Sequence, residues 1–212
     1  MKSKELIEKA IRLSGDPQTV ELLEQFLRAN AVIKDIKFDL AKFVDKNSTH
    51  EFAKGIYHRD GYKYVTNGRV LVSVKSGYDA TYEDKIISPT GEIIETRFPD
   101  WKHAMDQFHM FSELRLQQSV QEICGIVREN EAVAKANGKK LILTILHDGR
   151  QTDFRSREFS LFLMFLKACP EAVTYIRDNQ CLYACDGENF CLIMCTNIDS
   201  SYIEDYSIIH LQ

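Results

Sequence analysis

Two stretches of this chain share one pattern, in which apolar and polar positions alternate between pairs of turn-forming residues. Residues 56–74 read IYHRDGYKYVTNGRVLVSV, and residues 174–195 read TYIRDNQCLYACDGENFCLIMC. Each stretch predicts three antiparallel strands joined by two tight turns. Aligned with small gaps, the stretches match at Tyr57 and Tyr175, Arg59 and Arg177, Asp60 and Asp178, Tyr64 and Tyr183, Asn67-Gly68 and Asp186-Gly187, and Leu71 and Leu192.

The similarity continues upstream of both stretches. FDLAKFV at residues 38–44 aligns with FSLFLMFL at residues 159–166, which places Asp39 and Ser160 as N-caps of short apolar helices. A candidate strand precedes each helix, and the second of these, KLILTILHDGRQTDF, is long enough to form a hairpin. We therefore predict two β-α-β-β-β units. The alternative is that two hairpins rich in tyrosine and glycine resemble each other by chance.

The region between the two units repeats neither of them. EDKIISPTGEIIETRFPDW predicts a hairpin around Pro89–Gly91, followed by an irregular segment at Phe98–Trp101, because proline cannot donate a ladder hydrogen bond. A long helix then follows, capped by Ser112 and ending near Gly138. Its predicted apolar positions are Leu116, Val120, Ile123 and Val127.

The N-terminal part of the chain predicts two amphipathic helices separated by Gly15 and Asp16-Pro17. The predicted organisation has three parts. They are a helical extension at 1–30, a first unit with the Phe-Pro-Asp-Trp segment at 31–108, and the long helix with the second unit at 109–212. The predicted class is α+β, with antiparallel sheets and packed helices.

Four of the six cysteines lie in CLYACDGENFCLIMC, with the spacing C-x3-C-x5-C-x3-C. A turn centred on Glu188 places Cys185 opposite Cys191, and it places Cys181 opposite Cys195. Within one strand, however, Cys181 and Cys185 lie roughly 13 Å apart, whereas two sulfurs on one zinc ion lie within roughly 4.6 Å. A single four-cysteine zinc site on regular strands is therefore excluded. Buried, packed thiols are the favoured interpretation, with thiol pairing or metal binding on a distorted strand as alternatives.

The composition narrows the class of protein. The 212 residues are 44% hydrophobic and 27% charged, which is typical of a folded globular chain, and the net charge of −4 argues against non-specific coating of nucleic acid. No apolar run is long enough to span a membrane, and the N-terminus does not resemble a secretory signal, so we expect a cytoplasmic protein with reduced thiols. The chain has no phosphate-binding loop, zinc-protease motif or nucleophile elbow, so we expect no enzyme, cofactor or metal. A pairing of Cys124 with His103 or His109 is the remaining catalytic alternative.

Together these features resemble the DNA sliding clamps, and the bacterial beta clamp in particular. That family has a motif similar to G-x-x-F…A-T-D-G-H-R-L-A-V, where this chain reads GIYHRDGYKYVTNGRVLVSV. The family segment G-R-F-P-D-Y-R-R-V-L-P resembles ETRFPDWKHAM, and its C-terminal V-M-P-M resembles CLIMCTN. The resemblance covers about residues 33–197 and implies a DNA-clamp-like fold. The chain departs from the family where Asn67-Gly68-Arg69-Val70 replaces Asp-Gly-His-Arg, and its middle is too short for a full copy of the unit.

The resemblance implies a binding scaffold without catalytic chemistry, namely a processivity protein of DNA replication. Its partners, a DNA polymerase or other replication proteins, would insert linear peptides into a groove, and a homo-oligomeric ring would encircle duplex DNA. The alternatives are a protein-interaction module that keeps the fold without binding DNA, and groove side chains that simply fill the hairpin core. The groove positions carried over from the family are Ala53, Thr66, Gly68, Arg69, Val70, Leu71, Pro99, Ala104 and Met194.

Clamps hold the phosphate backbone of DNA with lysine and arginine side chains. The helix predicted from Ser112 carries three basic and four acidic side chains up to Lys135, so it has no basic face. A denser group of basic residues follows that helix in sequence. The candidate DNA contacts are Lys139, Lys140, Arg155 and Arg157, with Arg115 and Arg128 second.

Overall fold

The computed structural model describes residues 39–77, 79–101, 111–177, 180–197 and 204–211. These residues lie in the compact unit Lys37–Gln212, so the predicted N-terminal helices and the strand expected before Asp39 fall outside them. Within the described residues, two short 3-10 helices are Leu40–Phe43 and Glu51–Lys54, and two α-helices are α1 (Val120–Ala136) and α2 (Ser156–Ala168). The strands are β1 (Ile56–Arg59), β2 (Tyr62–Thr66), β3 (Val70–Lys75), β4 (Lys85–Ile87), β5 (Ile93–Ile94), β6 (Ser112–Glu113), β7 (Lys140–His147), β8 (Arg150–Arg155), β9 (Val173–Arg177), β10 (Cys181–Cys185), β11 (Phe190–Met194) and β12 (Tyr206–Leu211).

The strands form two sheets. Nine strands make one antiparallel sheet in the order β5-β4-β1-β2-β3-β11-β10-β9-β6. The other three strands have the order β12-β7-β8, in which β7 and β8 form the predicted hairpin and β12 lies parallel to β7. The α+β class with antiparallel sheets is therefore confirmed. The parallel pairing was not predicted, because strands so distant in sequence leave no local signal of their pairing.

The two predicted meanders share the same turn chemistry. The Asn67 side-chain oxygen accepts hydrogen bonds from the backbone amides two and three residues later, both at 2.9 Å. Asp186 does the same in the second meander, at 3.0 and 2.7 Å. Gly68 and Gly187 follow these residues with φ angles of 84° and 96°, a conformation that favours glycine. The aligned Asn-Gly and Asp-Gly pairs are therefore structurally equivalent.

The repeat is organised about the pairing of β3 with β11 at the centre of the large sheet. Leu71 lies directly opposite Leu192, and these are two residues that the sequence alignment matches. Because equivalent residues face each other there, a local two-fold axis through this pair relates β1-β2-β3 to β9-β10-β11. Tyr57 pairs with Tyr64 in the first copy, and their aligned equivalents also pair with each other. The two meanders thus form one continuous sheet.

The helices of the two units differ in length. Asp39 caps the first 3-10 helix as predicted, accepting a hydrogen bond from the Ala41 amide at 3.1 Å. The prediction that Ser160 caps the second helix is wrong, because α2 begins at Ser156 and Ser160 lies inside it. Strand β8 runs to Arg155, which takes the N-cap position without a side-chain cap bond. The helix therefore begins directly where the β7–β8 pairing ends.

The long helix begins later than its predicted start at Ser112. That residue lies in β6, which pairs with β9, and Leu116 also precedes the helix. Ser119 is the N-cap, and it exchanges hydrogen bonds with Glu122 in a capping box. The capping box sets the start of α1 because the preceding residues are held at the sheet edge. The helix ends near Gly138 as predicted, with that glycine at a φ of 68°.

The large sheet buries a different layer on each face. Trp101 stacks on Tyr64 with ring centroids 4.8 Å apart, which places the Phe98–Trp101 segment over one face. On the other side, α2 contacts β11, β7, β8 and α1. Within the described ranges, no helix is long and apolar enough to cross a membrane. The first face, called the aromatic face below, includes Tyr57, Tyr62, Tyr64, Leu71, Phe98, Trp101, Tyr183, Phe190 and Leu192.

The cysteine hairpin forms with a register that differs from the prediction. Cys181 lies opposite Met194 and Cys185 lies opposite Phe190, so the predicted facing of Cys185 with Cys191 and of Cys181 with Cys195 is wrong. The hydrogen bonds that the Asp186 side chain accepts close the turn between Cys185 and Phe190. The register of β10 with β11 is therefore shifted by one residue from the predicted one. All six cysteines are free, and no group of His, Cys, Asp and Glu in the described part of the chain could hold a metal ion.

Candidate functional site

Five of the predicted groove residues meet where the β2–β3 turn adjoins the end of β11. Thr66 lies opposite Leu71, and its Oγ1 accepts a hydrogen bond from the Gly68 amide at 3.1 Å. The Met194 amide donates to the Arg69 carbonyl oxygen at 2.7 Å. Arg69 and Met194 are exposed, whereas Thr66 and Leu71 are buried. We call this site the seam groove; its residues are Thr66, Gly68, Arg69, Leu71 and Met194.

The other four predicted groove residues stand apart from the seam groove. Ala53 is fully buried in the second 3-10 helix, which packs on β2. Val70 is buried and is adjacent to Leu71 in β3, so its side chain projects from the opposite face of the sheet. Pro99 is exposed in the segment that covers the aromatic face, and Ala104 lies outside the described residues.

A cavity of about 320 Å³ lies beside Pro99 and contains a polar network that the sequence did not predict. The Tyr57 hydroxyl donates to the Asp84 carboxylate at 2.8 Å, and the Arg59 Nε lies 3.6 Å from the same carboxylate. Burial, followed by the hydrogen bond to Asp84, raises the pKa of Tyr57, so the phenol stays protonated and continues to donate. No spacing motif marks Asp84, because it reaches Tyr57 only through the pairing of β1 with β4.

A second candidate site gathers basic side chains from four elements. The end of α1, the start of β7, the end of β8 and the start of α2 enclose a cavity of about 420 Å³, and β12 contributes Tyr206 to its wall. Glu131 is the one acidic side chain among the described residues that line it. We call it the basic cavity; its cations are Lys135, Lys139, Lys140, Arg155 and Arg157.

Four of the six predicted DNA contacts therefore lie together, and Lys135 joins them. None of the five cations forms an ion pair with another described residue. The two secondary candidates lie elsewhere. Arg115 is exposed, with its Nε 2.9 Å from the Glu113 carboxylate. Arg128 lines a different cavity of about 880 Å³, between the first half of α1 and the C-terminal end of α2.

Burial disfavours the deprotonation of four of the six thiols. Burial raises the pKa of Cys169 to about 12 and that of Cys181 to about 11. Burial also raises the pKa of Cys191 and, less strongly, that of Cys195. Since the thiolate is the nucleophile and the metal ligand, protonated thiols at neutral pH react slowly. These directions favour the packed-thiol interpretation over redox chemistry.

The repeated meanders, their continuous sheet and the helices packed against it define a DNA-clamp-like fold. Structure comparison finds the same fold in a DNA polymerase III beta subunit from Eubacterium rectale, with a TM-score of 0.57 and 11% identity over 75% of this chain and 62% of that one. The DNA polymerase III subunit beta sliding clamp from Bartonella birtlesii, bound to griselimycin, aligns with a TM-score of 0.55 and 13% identity over 75% of this chain and 63% of that one. The Helicobacter pylori beta clamp, bound to a DNA ligase peptide, gives a TM-score of 0.53 and 11% identity over 74% and 61%.

These similarities establish the fold. The aligned part of this chain spans a little over three fifths of the length of those clamps. No protein-family model matches the sequence, and no curated protein matches it. The resemblance inferred from the sequence motifs is therefore confirmed at the level of the fold.

Proposed function

We propose that this chain is a clamp-fold accessory protein of DNA replication that binds linear peptides of its partners in the seam groove. The observation that carries this proposal is the backbone hydrogen bond that joins the exposed Arg69 and Met194, with Arg69 two residues before the buried Leu71 of β3, within a clamp-like fold. An exposed apolar side chain beside a cationic rim suits a short peptide that offers an apolar anchor. In one similar structure, the Helicobacter pylori clamp is bound to a DNA ligase peptide, which supports this class of ligand.

The proposal includes contact of the basic cavity with the phosphates of duplex DNA. The five cations form no ion pair with another described residue, which supports it, because lysines and arginines that are not neutralised by those residues are available to phosphate. A homo-oligomeric ring that encircles DNA is part of the same proposal. The second candidate function, an interaction module without DNA binding, is favoured by the net charge of −4.

The first experiment measures binding to duplex DNA as a function of salt concentration. Contacts from Lys139, Lys140, Arg155 and Arg157 to one phosphate each give a slope of log K against log salt of about −3.6. The affinity then falls by about 150-fold between 50 and 200 mM salt. Binding is also expected to be independent of DNA sequence, since phosphate contacts carry no base information. A wild-type protein that shows no salt-sensitive binding even at low ionic strength contradicts the DNA part.

Two opposite charge reversals separate the two sites. The double variant Lys139→Glu and Lys140→Glu is expected to weaken DNA binding and to leave binding of a DNA ligase peptide unchanged. Arg69→Glu is expected to weaken peptide binding about two- to fivefold, as for an exposed ion pair, and to leave DNA binding unchanged. The solution mass, measured by light scattering after gel filtration, tests for the ring. A monomer that still binds the peptide supports the interaction module.

A further inference from the structure

The basic cavity places several cations close together, two of them at a helix end that disfavours positive charge. Its five cations share one cavity with a single acidic side chain among the described lining residues. Arg155 and Arg157 stand at the N-cap and second positions of α2, the positive end of the helix macrodipole, where cations are unfavourable. Such a local conflict lowers folding stability and is expected at a site that binds an anion.

The floor of the same cavity is apolar. Ala134 and Ile142 line it, each is 1% exposed, and Ile142 lies on the same face of β7 as Lys140. Tyr206 is half-buried on the wall and lies opposite Lys140 in the parallel pairing of β12 with β7. An aromatic ring and a cation therefore adjoin above an apolar floor. A phosphate group alone has no apolar surface to pack on the Tyr206 ring, whereas a nucleobase has a planar face that stacks on aromatic rings.

The volume of the cavity also suits a small ligand. At about 420 Å³ it lies within the range of ~300–1,000 Å³ that is typical of small-molecule sites. A continuous duplex presents its backbone phosphates to such a cavity and keeps its bases stacked inside the helix. The half-buried Tyr206 side chain would then gain no contact from the DNA, so duplex binding leaves part of the cavity unexplained.

We propose that the basic cavity binds a nucleoside phosphate, with the phosphate on the lysine and arginine side chains and the base against Tyr206 and the apolar floor. The ligand is the terminal nucleotide of a nucleic-acid strand or a free nucleotide, since both offer the same chemistry. This inference rests on the proposed function in that the same cations serve the duplex contacts. The inference adds a base-binding pocket beside these phosphate contacts.

Isothermal titration of the full chain with three probes tests the two halves of the ligand. ADP carries both base and phosphates, pyrophosphate carries only the charge, and adenosine carries only the base and sugar. We expect ADP to bind at least tenfold more tightly than either of the other two. Pyrophosphate binding as tight as that of ADP would overturn the base-binding half, because the cavity would then recognise charge alone.

Variants locate the site. Tyr206→Ala is expected to weaken ADP binding about 5- to 150-fold, the range for loss of base stacking, and to leave pyrophosphate binding unchanged. Tyr206→Phe keeps the ring and should retain ADP binding, while Tyr206→Leu keeps apolar bulk without the ring and should not. Lys140→Glu is expected to weaken both ADP and pyrophosphate, and the exposed Lys46, which does not line the cavity, gives the control Lys46→Glu. Unchanged ADP affinity in Tyr206→Ala and Lys140→Glu would overturn the assignment.

A pair of five-nucleotide single strands, with and without a 5′-phosphate, identifies the source of the nucleotide. If the phosphorylated strand binds tenfold more tightly than both the hydroxyl strand and ADP, the ligand is a strand end. If ADP binds at least as tightly as either strand, the ligand is a free nucleotide. Closed circular duplex DNA has no strand end and separates this inference from the proposed function. Binding of the circle without binding of ADP or either strand overturns the inference alone. Binding of ADP without binding of the circle or of linear duplex DNA, whose ends a closed ring can enter, overturns the DNA part of the proposed function alone.

Discussion

Replacing Asn189 with alanine removes the polar network that joins the two repeated units. Asn189 is 5% exposed, and its side-chain oxygen accepts a hydrogen bond from the Lys75 amide of β3 at 2.8 Å. Its side-chain nitrogen donates to the Asp186 carboxylate at 2.9 Å. The alanine variant therefore leaves the Lys75 amide without this acceptor and removes a charge-assisted hydrogen bond from the turn.

The expected loss follows from these two contacts. An amide without a partner costs about 1–3 kcal/mol when it is buried, and the part-buried Lys75 amide lies at the low end of that range. A hydrogen bond to a charged group contributes about 1.5–3 kcal/mol. We expect the free energy of unfolding to fall by about 3 kcal/mol at pH 7. With a urea m-value of about 2 kcal/mol/M, the midpoint of unfolding falls by about 1.5 M.

The loss should depend on pH, because Asp186 is part of the network. Burial alone would raise the pKa of Asp186, but hydrogen bonds from Asn189 and Glu188 outweigh it and hold that pKa below its usual value. A lowered carboxyl pKa contributes stability above the unfolded value of about 3.9, and that contribution is lost as the pH falls through the folded pKa. The alanine variant has less of this stability to lose. The difference between wild type and variant should therefore narrow as the pH falls from 5 towards 2.

Urea unfolding can be followed by far-UV circular dichroism and by the fluorescence of Trp101, the single tryptophan, which stacks on Tyr64. Glu188→Gln is the matched control on the same turn. It removes only the ion pair between the Lys75 and Glu188 side chains, which are 25% and 36% exposed, and should cost less than about 1 kcal/mol. A loss below 1 kcal/mol in Asn189→Ala at pH 7, or one that is equal at pH 7 and pH 3, would refute the network.

Two further predictions concern the thiols and the glycines. Because the pKa values of Cys169 and Cys181 are raised to about 12 and 11, these thiols should react slowly with a disulfide reagent at pH 8 in the native state, whereas all six cysteines should titrate in denaturant under non-oxidising conditions. Elemental analysis should find no stoichiometric zinc, and one zinc per chain that is lost on unfolding would contradict the packed-thiol interpretation. A Cβ at position 55 would lie 2.6 Å from the Ile86 side chain, so Gly55→Ala should destabilise the fold by about 1–3 kcal/mol. A Cβ at position 125 meets nothing within 4 Å, so Gly125→Ala in α1 should stabilise it by about 0.5–1 kcal/mol. Thermal unfolding should show shifts of opposite sign, and shifts of the same sign would contradict these packing assignments.

The sequence alone was sufficient for the parts of the fold that depend on neighbouring residues. The turns at Asn67-Gly68 and Asp186-Gly187 could be predicted because the hydrogen bonds that close each of them come from residues two and three positions away. The same local signal allowed the two meanders to be aligned, whereas the groove residues in the β2–β3 turn came from the resemblance to the sliding clamps. The end of α1 near Gly138 could be predicted for the same reason, since a glycine with positive φ ends a helix.

Other features were decided by contacts between residues far apart in the chain. Ser112 joined the edge strand β6 beside β9 and delayed the start of α1. The pairing of Leu71 with Leu192, the parallel position of β12 and the gathering of Lys139 with Arg157 around one cavity are likewise long-range. A strand edge can pair with many partners that fit its pattern equally well. The choice among them depends on which arrangement buries the apolar faces of all elements together. The total apolar area that is buried can be compared only between folded arrangements of the whole chain.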